Sequence, residues 1–380
     1  MVEVWRHIIG RHDVRLLLPQ VSHSVRSDYG RRIELQSVQF VPCTRRSRFR
    51  YLRRIKFALT SFWYDVYTVC TALSQPYDVI YFRTRYLSFA PLVLKFFGKK
   101  YVCEVNGLAK YGASKIKKST IISLTLAAHM FLEKRALRGA MKIITVTEEL
   151  IGQLQKEYSV DRLRCVVIPN GVDIDLFKPG QAKSSYEKNH VFRIGFVGHF
   201  APWQGIQNVL PVIPAVNKQF PVKLLLVGDG MMLQEWKTTA ERMLEPQQYE
   251  FLGMITYDQV PKYIQSFDFC IAPFTMERNT DIGLSPLKLY EYLACAKPVL
   301  VTDIPGVSEI VHVNNVGVVI PDSSQENMVR GISQMIERRD EWPAMGRRGR
   351  HLVERDYSWK VNSEKVVITL GNHLSIRSTH

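Results

Sequence analysis

The sequence predicts an α/β fold in which two doubly wound parallel sheets form separate domains. Short apolar segments, typical of buried strands, alternate with longer segments that have helical spacing. This alternation runs to about residue 168 and begins again at Phe192. At 380 residues the chain also exceeds the size of one comfortable hydrophobic core. Folds of this class bind ligands at the carboxyl ends of their strands, and we expect a site there.

The first half is predicted to begin with a helix, which is unusual for an α/β domain. We predict helices at 2–10, 49–73, 89–97, 121–138 and 147–158. Strands are predicted at 14–18, 36–42, 77–82, 100–105, 142–146 and 165–168, where apolar and β-branched residues cluster between turn signals.

The second half repeats this pattern after a polar segment at 178–189, which we interpret as a linker. Strands are predicted at 192–197, 222–227, 249–252, 269–272, 299–301 and 316–320, and residues 273–284 are predicted to form a loop. Helices are predicted at 206–220, 231–244, 257–265, 288–296 and 327–337, with Pro211 and Pro214 disturbing the first. The predicted domains are therefore 1–178 and 190–355, and a helix within 356–380 is expected to cross back to the first domain.

The positive charge of the chain is concentrated in its first third. The formal net charge is +16, and residues 1–120 hold 22 Lys and Arg against 7 Asp and Glu, a net +15. Basic and aromatic residues alternate between Arg45 and Lys56. Such a stretch is typical of a surface for anionic lipid, nucleic acid or an anionic substrate, the alternative being a solvated helix face. Because no nucleic-acid-binding motif is present, an anionic membrane surface is the preferred partner.

Composition favours a soluble globular protein, with 46% hydrophobic and 23% charged residues. The longest apolar stretch, 121–132, is too short to span a membrane. Met1 is not followed by the apolar region of a signal peptide. The six cysteines lack CxxC spacing, so we expect neither a metal cluster nor a disulfide framework. A cytoplasmic location, peripheral at the inner face of the membrane, is therefore expected.

Residues 281–303 are predicted to form the centre of the site. Ser285 and Pro286 suit the N-cap and the first position of a helix. The start of such a helix carries free N–H groups and a positive dipole end, so it can hold a phosphate. Glu291 is the only carboxylate of this helix and is expected to face a cleft or solvent. An ordinary surface helix with one acid is the alternative.

Three strands of the second half are followed by glycines, namely Gly198, Gly228 and Gly253. At such positions the backbone turns tightly or approaches a ligand closely. Each glycine alone is weak evidence, because glycines that end strands are common structural turns. Together with the helix after Ser285, they indicate a site for a nucleotide.

In order and spacing, six segments resemble those of the family 4 glycosyltransferases. They are ITVTEEL…VVIPNGVDIDLFKP (144–179), IGFVGHFAPWQGI (194–206), LLLVGDG (224–230), FLGMITYDQVPKYIQSFDFCIAPF (251–274), SPLKLYEYLACAKPVLVTDIPGVSEIV (285–311) and YSW (357–359). The resemblance covers about residues 75–365 and implies the GT-B architecture, two Rossmann-like domains facing a cleft. It also implies transfer of a sugar from a nucleotide-diphosphate donor with retained anomeric configuration, and no metal or other cofactor.

The resemblance places the donor in the second domain and the acceptor in the first. Glu291 would bind the ribose hydroxyls of the donor, since a carboxylate can accept two hydrogen bonds. Lys288 and Glu291 are the candidates for a catalytic role. The expected donor-binding residues are Gly198, His199, Phe200, Gln204, Gly205, Gly228, Gly253, Met254, Ser285, Leu287, Lys288 and Glu291.

Three positions depart from the family pattern. Gly283 stands where most members have the first acid of a Glu-x7-Glu pair. The subgroup with an SPLK-x-x-EY segment, which this sequence resembles, also lacks that acid. His199 and Gln204 stand where most members place an Arg and a Lys on the diphosphate. Without these cations, the charge that develops on the leaving group needs another partner. Lys288 is expected to take that role, the alternative being a solvent-facing lysine; Arg278 is a second candidate.

The first domain has three further candidates. Glu104 and Asn106 lie in a CEVNG segment (103–107) that resembles an EVNG variant found at the cleft, where they would contact acceptor or donor sugar. Arg83 at a strand end is another cleft candidate, although a structural salt bridge explains it equally well.

The start of the chain also departs from the family. Members open with a strand and a Gly-rich loop, followed by a helix that residues 2–10 resemble. The strand and the Gly-rich loop have no counterpart in this sequence. We therefore expect either a true start upstream of Met1 or a degenerate protein.

The expected function is transfer of a sugar to a saccharide or lipid-linked acceptor in the synthesis of envelope or exopolysaccharide glycans. The alternative is a catalytically impaired or truncated relative that binds sugar nucleotides or acts as a scaffold. A related epimerase fits less well, because the PNGVD and SPLK-x-x-EY segments resemble those of transferases.

Overall fold

The computed structural model describes residues 16–19, 38–41, 50–108, 120–180 and 190–371. The chain divides into two units, one containing residues up to Ile168 together with those from Asn362 onward, and the other Pro169–Val361. The predicted linker, 178–189, begins about ten residues after this division. Pro169 to Gly180 belong to the second unit because Val172 and Phe177 are buried in its core.

The first unit contains a parallel four-stranded sheet in the order β3-β4-β5-β6. Its strands are β3 (Ile80–Arg83), β4 (Tyr101–Val105), β5 (Lys142–Thr145) and β6 (Cys165–Val167), and a separate parallel pair is formed by β1 (Leu16–Pro19) and β2 (Val38–Val41). The helices are α1 (Arg50–Ser74), α2 (Ala90–Phe96), α3 (Thr120–Gly139) and α4 (Glu148–Tyr158). Strand β3 is only half-buried, because it forms an edge of the four-stranded sheet. The predicted helix at 2–10 lies outside the described residues.

The second unit contains a parallel six-stranded sheet in the order β12-β11-β10-β7-β8-β9. The strands are β7 (Phe192–Val197), β8 (Val222–Val227), β9 (Tyr249–Gly253), β10 (Phe269–Ala272), β11 (Val299–Thr302) and β12 (Gly317–Ile320). The chain builds outward from β7 in one direction and then continues from β10 in the other. Ligands bind at such a reversal of strand order, beyond the carboxyl ends of β7 and β10. The predicted fold class, two parallel-sheet α/β domains, is confirmed.

Helices cover both faces of this sheet. They are α5 (Ile206–Val209), α6 (Ile213–Asn217), α7 (Leu233–Met243), α8 (Val260–Ser266), α9 (Met276–Ile282), α10 (Leu287–Ala294), α11 (Ser308–Val313), α12 (Gln325–Glu337) and α13 (Trp342–Leu352). The last helix, α14 (Trp359–Gly371), begins in the second unit and belongs to the first from Asn362 onward. A 3₁₀ turn at Leu210–Val212 separates α5 from α6, as Pro211 predicts. One core lies around Trp236 and another around Tyr292.

Two sequence-based predictions about the segment before α10 are wrong. Residues 273–284 are not a continuous loop, because α9 forms within them. Ser285 is not the N-cap of the next helix, since Pro286 occupies that position. Among the described residues, no helix is both long and apolar enough to cross a membrane.

Candidate functional site

Three glycines bring backbone groups together at the carboxyl ends of neighbouring strands. The N–H of Gly198 donates to the carbonyl of Val227, and the N–H of Gly228 donates to the carbonyl of Gly253, both over 2.9 Å. A Cβ at Gly228 would lie 1.9 Å from the carbonyl oxygen of Gly198, so this contact requires glycine. Gly253 has φ +72° and open space around its Cβ position, so it exposes backbone at the end of β9.

Lys288 is buried directly beside this glycine edge, with 9% of its surface exposed. Its Nζ donates to Oε1 of Gln204 over 2.7 Å and lies 3.7 Å from the centroid of the Phe196 ring. A Cβ at Gly198 would lie 2.8 Å from Nζ, so the glycine makes room for the ammonium group. The alternative of a solvent-facing lysine is therefore wrong.

The environment of Lys288 disfavours its charged form. Burial lowers the pKa of Lys288 well below its ordinary value, and the charge of Glu291 opposes this shift only in part. An anion bound beside Nζ would favour the ammonium form and raise the pKa again. The site therefore gains most from Lys288 when a negatively charged group is present.

Glu291 follows Lys288 by three residues, so the two side chains lie on the same side of α10. Glu291 is also buried, with 7% of its surface exposed. Burial raises its pKa to about 7, while a hydrogen bond with Tyr257 and the charge of Lys288 act in the opposite direction. This carboxylate neither faces solvent nor belongs to an ordinary surface helix.

The start of α10 has no side-chain cap. Its N-cap is Pro286, and Ser285 is engaged elsewhere. The Ser285 hydroxyl accepts the Asn170 N–H over 2.8 Å and lies 2.9 Å from the Tyr290 hydroxyl, while Nδ2 of Asn170 donates to the Ser285 carbonyl over 2.6 Å. Leu287 is exposed at the first helical position. Because no side chain makes a capping hydrogen bond here, the N–H groups of this helix start can bind an anion.

Gly283 has a backbone that explains the missing acid. It ends α9 with φ +62° and ψ 177°, a conformation that is essentially restricted to glycine. A glutamate at this position would be strained. The absence of the acid is therefore coupled to the path of the chain between α9 and α10.

Two predicted donor residues, Phe200 and Gly205, are buried and have clear structural contacts. The ring of Phe200 is fully buried and packs 4.8 Å from the ring of Trp236, while its N–H donates to the Asp229 carbonyl over 2.8 Å. A Cβ at Gly205 would lie 1.7 Å from the carbonyl oxygen of Pro273, so this glycine allows two loops to touch. The Phe200 ring and Gly205 are both buried, and a donor contact at these two residues stays a prediction.

Two other predicted donor residues are exposed. His199 lies after β7, and Met254 follows β9 with 81% of its surface exposed. The backbone of Arg278 lies in α9, but its side chain is outside the described part of the structure.

In the first unit, Glu104 is held from two sides. Oε1 lies 3.8 Å from Nε of Arg83, and Oε2 accepts the hydroxyl of Tyr81 over 3.0 Å. The salt-bridge explanation of Arg83 is therefore supported. The Oδ1 atom of Asn106, at the carboxyl end of β4, is buried without a hydrogen-bond partner in the described residues. It is a free acceptor for a donor group such as a hydroxyl.

Sequence reasoning missed three residues that shape the site: Phe196, Tyr257 and Asn170. Phe196 appears in the sequence only as an ordinary apolar strand residue, and Tyr257 as the first residue of a short helix. Asn170 had a usable signal, because its PNG turn belongs to a segment with family resemblance. Among the described residues, no group of three or more His, Cys, Asp and Glu side chains is placed to hold a metal ion.

Two family models together match most of the chain. The model for "Glycosyltransferase Family 4" matches residues 1–176, and the model for "Glycosyl transferases group 1" matches residues 191–338. An uncharacterized glycosyltransferase of Methanocaldococcus jannaschii is 22% identical over 75% of this chain and 72% of its own length. A GDP-mannose-dependent α-(1-6)-phosphatidylinositol monomannoside mannosyltransferase of Mycobacterium tuberculosis is 24% identical over 52% of this chain, which spans only 54% of that relative.

Solved structures show the same fold over nearly the full chain. HepE of Anabaena, solved in complex with UDP, aligns with a TM-score of 0.70 and 18% identity, covering 98% of this chain and 96% of its own. WaaG, a glycosyltransferase involved in lipopolysaccharide biosynthesis, aligns with a TM-score of 0.64 and 16% identity, covering 98% and 95%. The chain therefore belongs to family 4 of the glycosyltransferases and has the two-domain GT-B fold of these enzymes.

Proposed function

We propose that this glycosyltransferase moves a sugar from a nucleoside-diphosphate sugar to a saccharide or lipid-linked acceptor of an envelope or exopolysaccharide glycan, with retained anomeric configuration. The observation that carries this proposal is the buried Lys288–Glu291 pair beside the glycine edge of the six-stranded sheet. Relatives support the substrate class, because one is named for GDP-mannose and a structural neighbour is solved with UDP-glucose.

Lys288 is the proposed partner of the donor diphosphate. In the reaction, the bond between the anomeric carbon and the diphosphate oxygen breaks, and negative charge develops on that oxygen. A buried ammonium group stabilises such charge more than a solvated one does, because it is preorganised in a site with little water. The uncapped start of α10 adds N–H groups beside it.

Gln204 is the proposed positioning residue for this cation. Its amide oxygen accepts the Nζ proton, and the Phe196 ring fixes the other side. The family's usual lysine at this position would place a second positive charge against Lys288. Glutamine instead supplies an acceptor that orients Lys288, so this departure from the family pattern fits an active enzyme.

Glu291 is the proposed contact for the donor ribose, and Asn106 of the first unit the proposed contact for an acceptor hydroxyl. A carboxylate can accept hydrogen bonds from both ribose hydroxyls. The proposed reaction uses no metal or other cofactor. The proposed location is cytoplasmic, with the basic first third attracting the protein to an anionic membrane.

The test is release of nucleoside diphosphate from a panel of UDP- and GDP-sugars, measured with lipid-linked and soluble saccharide acceptors. We expect acceptor-dependent release with at least one donor, and loss of tight donor binding in Glu291→Ala. Glu250→Ala is the matched control, because Glu250 lies on the outer strand β9 and pairs with Lys223. Donor binding without release across the panel would contradict transfer and support the binding-protein alternative.

A further inference from the structure

In helix α1 the structure describes the side chains of residues 59 and 61–74, and among these the buried ones are small or polar while large apolar ones are exposed. Asp65, Thr68 and Ala72 are buried. Phe62 and Trp63 are exposed by 51% and 61% of their surfaces. The exposed stripe has helical spacing and also contains Leu59, Tyr67 and Leu73. This arrangement is the reverse of an ordinary amphipathic helix on a soluble protein.

The orientation of α1 is fixed by the carboxylate of Asp65. Its Oδ2 accepts the N–H groups of Phe89 and Ala90 over 2.6 and 3.2 Å, at the start of α2. Its Oδ1 accepts the hydroxyl of Ser88 over 3.1 Å and pairs with Arg85. A buried carboxylate that loses such partners is strongly destabilised. Turning α1 to hide its apolar stripe would break these bonds, so the exposed face is built into the fold.

Basic residues are frequent in and next to this helix. The sequence of the first turns of α1 contains Arg50, Arg53, Arg54 and Lys56, whose side chains lie outside the described part of the structure. The neighbouring helix α2 ends with Phe96 and Phe97, which are exposed, and the nearby Lys95 and Lys100 are exposed as well. Exposed aromatic residues beside lysines and arginines are the composition of helices that lie in the interface of an anionic membrane.

We propose that the apolar face of α1 inserts into the boundary between headgroups and acyl chains of an anionic lipid surface. This inference rests on the membrane-bound acceptor of the proposed function. It goes beyond charge attraction, because it assigns the contact to Phe62 and Trp63 and requires these side chains to leave water. A second copy of the chain is a weaker occupant, since a self-complementary contact would bring two strongly basic surfaces together.

The experiment uses the full chain and vesicles of neutral phosphatidylcholine with or without 30% phosphatidylglycerol. Co-sedimentation is expected with the anionic vesicles, and part of the binding is expected to survive 0.5 M salt, because insertion is not screened. Brominated acyl chains should quench the tryptophan fluorescence of the bound protein. In Trp63→Phe, binding should remain within about threefold, while most of this quenching should disappear.

Removing the apolar side chains should remove binding. Phe62→Ser with Trp63→Ser is expected to weaken vesicle binding at least tenfold. Leu163→Ser is the matched control, because Leu163 is an even more exposed apolar residue of the first unit that lies outside α1, and vesicle binding of this variant should stay unchanged. Circular dichroism and thermal unfolding of the double variant show whether its fold is intact.

Several outcomes would overturn the proposal. The first is a folded Phe62→Ser/Trp63→Ser variant that binds vesicles as tightly as the wild type, and the second is unchanged quenching by brominated lipid in Trp63→Phe. The others are a wild-type protein that does not bind anionic vesicles, and a dimer in which Trp63 is protected from acrylamide without lipid. Glu291→Ala should bind vesicles like the wild type, so loss of transfer activity and failure of the membrane contact are measured separately.

Discussion

The ammonium form of Lys288 is poorly solvated by water, because the side chain is buried, so its charge depends on whether an anionic ligand is bound. The Phe196 ring and the Gln204 oxygen partly replace water around Nζ, and Glu291 supplies an opposite charge on the same helix. These contacts orient the ammonium group without removing the effect of burial on its pKa. A diphosphate would supply the missing negative charge.

Replacing Lys288 by methionine should therefore reduce turnover far more than stability. We expect kcat to fall roughly 10²- to 10³-fold, because a preorganised charge opposite the leaving group is lost. Thermal unfolding should shift little, since a buried charge is replaced by an apolar chain of similar length. The measurement is steady-state kinetics with differential scanning fluorimetry. Lys262→Met, at an exposed position of α8, is the control, and equal kinetics in both variants would refute the role of Lys288.

Glu291 should make donor affinity depend on pH. Its pKa is raised to about 7, so it is mostly protonated at pH 6 and mostly a carboxylate at pH 8. Because the carboxylate is the proposed acceptor for the ribose hydroxyls, nucleotide affinity should increase as pH rises from 6 to 8. Titration calorimetry with UDP and GDP checks this, using whichever nucleotide binds. Glu291→Gln should lose this dependence, and a retained slope would assign it to another group.

At the scale of elements, the turn between α9 and α10 determines where the site residues lie. Gly283 changes the direction of the chain with a backbone that other residues enter at a cost, and Pro286 then starts α10. The departure from the family's acid pair is thus a property of this turn as well as of a side chain.

Restoring the family's acid with Gly283→Glu should destabilise the second unit. The expected loss is about 1–3 kcal/mol in the free energy of unfolding, because the residue must hold a strained backbone. Urea denaturation measures this loss, and no gain in turnover is expected. Gly152→Ala is the control, since Gly152 lies in α4 with open space around its Cβ position and should gain about 0.5–1 kcal/mol. An unstrained, more active Gly283→Glu would contradict this account.

The elements that could be predicted from the sequence are those with sharp apolar boundaries. Strands β7 and β8 have the predicted limits, 192–197 and 222–227, because they are central, buried and followed directly by the glycines Gly198 and Gly228. Helix α9 was missed because its sequence, MERNTDI, has no apolar stripe. The family resemblance identified Lys288 and Gln204 singly, but their hydrogen bond joins residues 84 positions apart and could not be derived from local pattern.

At the scale of the whole molecule, charge and the candidate donor site fall in different parts of the chain. Residues 1–120 carry a net +15, and the remaining residues hold 29 Lys and Arg against 28 Asp and Glu. The first part is thus suited to an anionic surface, whereas the proposed donor site contains the buried Lys288. Their effects can be separated by salt, which screens exposed charges more than buried ones.

The proposed use of Lys288 in place of a divalent cation predicts that metal removal leaves the reaction intact. Turnover of the full chain in 5 mM EDTA should remain within about twofold of turnover with magnesium, because the ammonium group supplies the charge at the diphosphate. Nucleoside diphosphate release is the measurement. Loss of turnover in EDTA that magnesium restores would reject this part of the proposal.

The second unit begins and ends at the same place. The N–H of Val172 donates to the carbonyl of Tyr357 over 2.9 Å, and the N–H of Trp359 donates to the carbonyl of Val172 over 3.1 Å. Arg350 reinforces this junction through the carbonyls of Phe177 and Ile174, at 2.6 and 3.1 Å. A segment with adjacent ends can be excised or circularly permuted with little distortion. Residues 169–361 are therefore a natural fragment for separate expression. In a circular permutant, the two adjacent ends would be joined and new termini opened elsewhere on the surface of this unit.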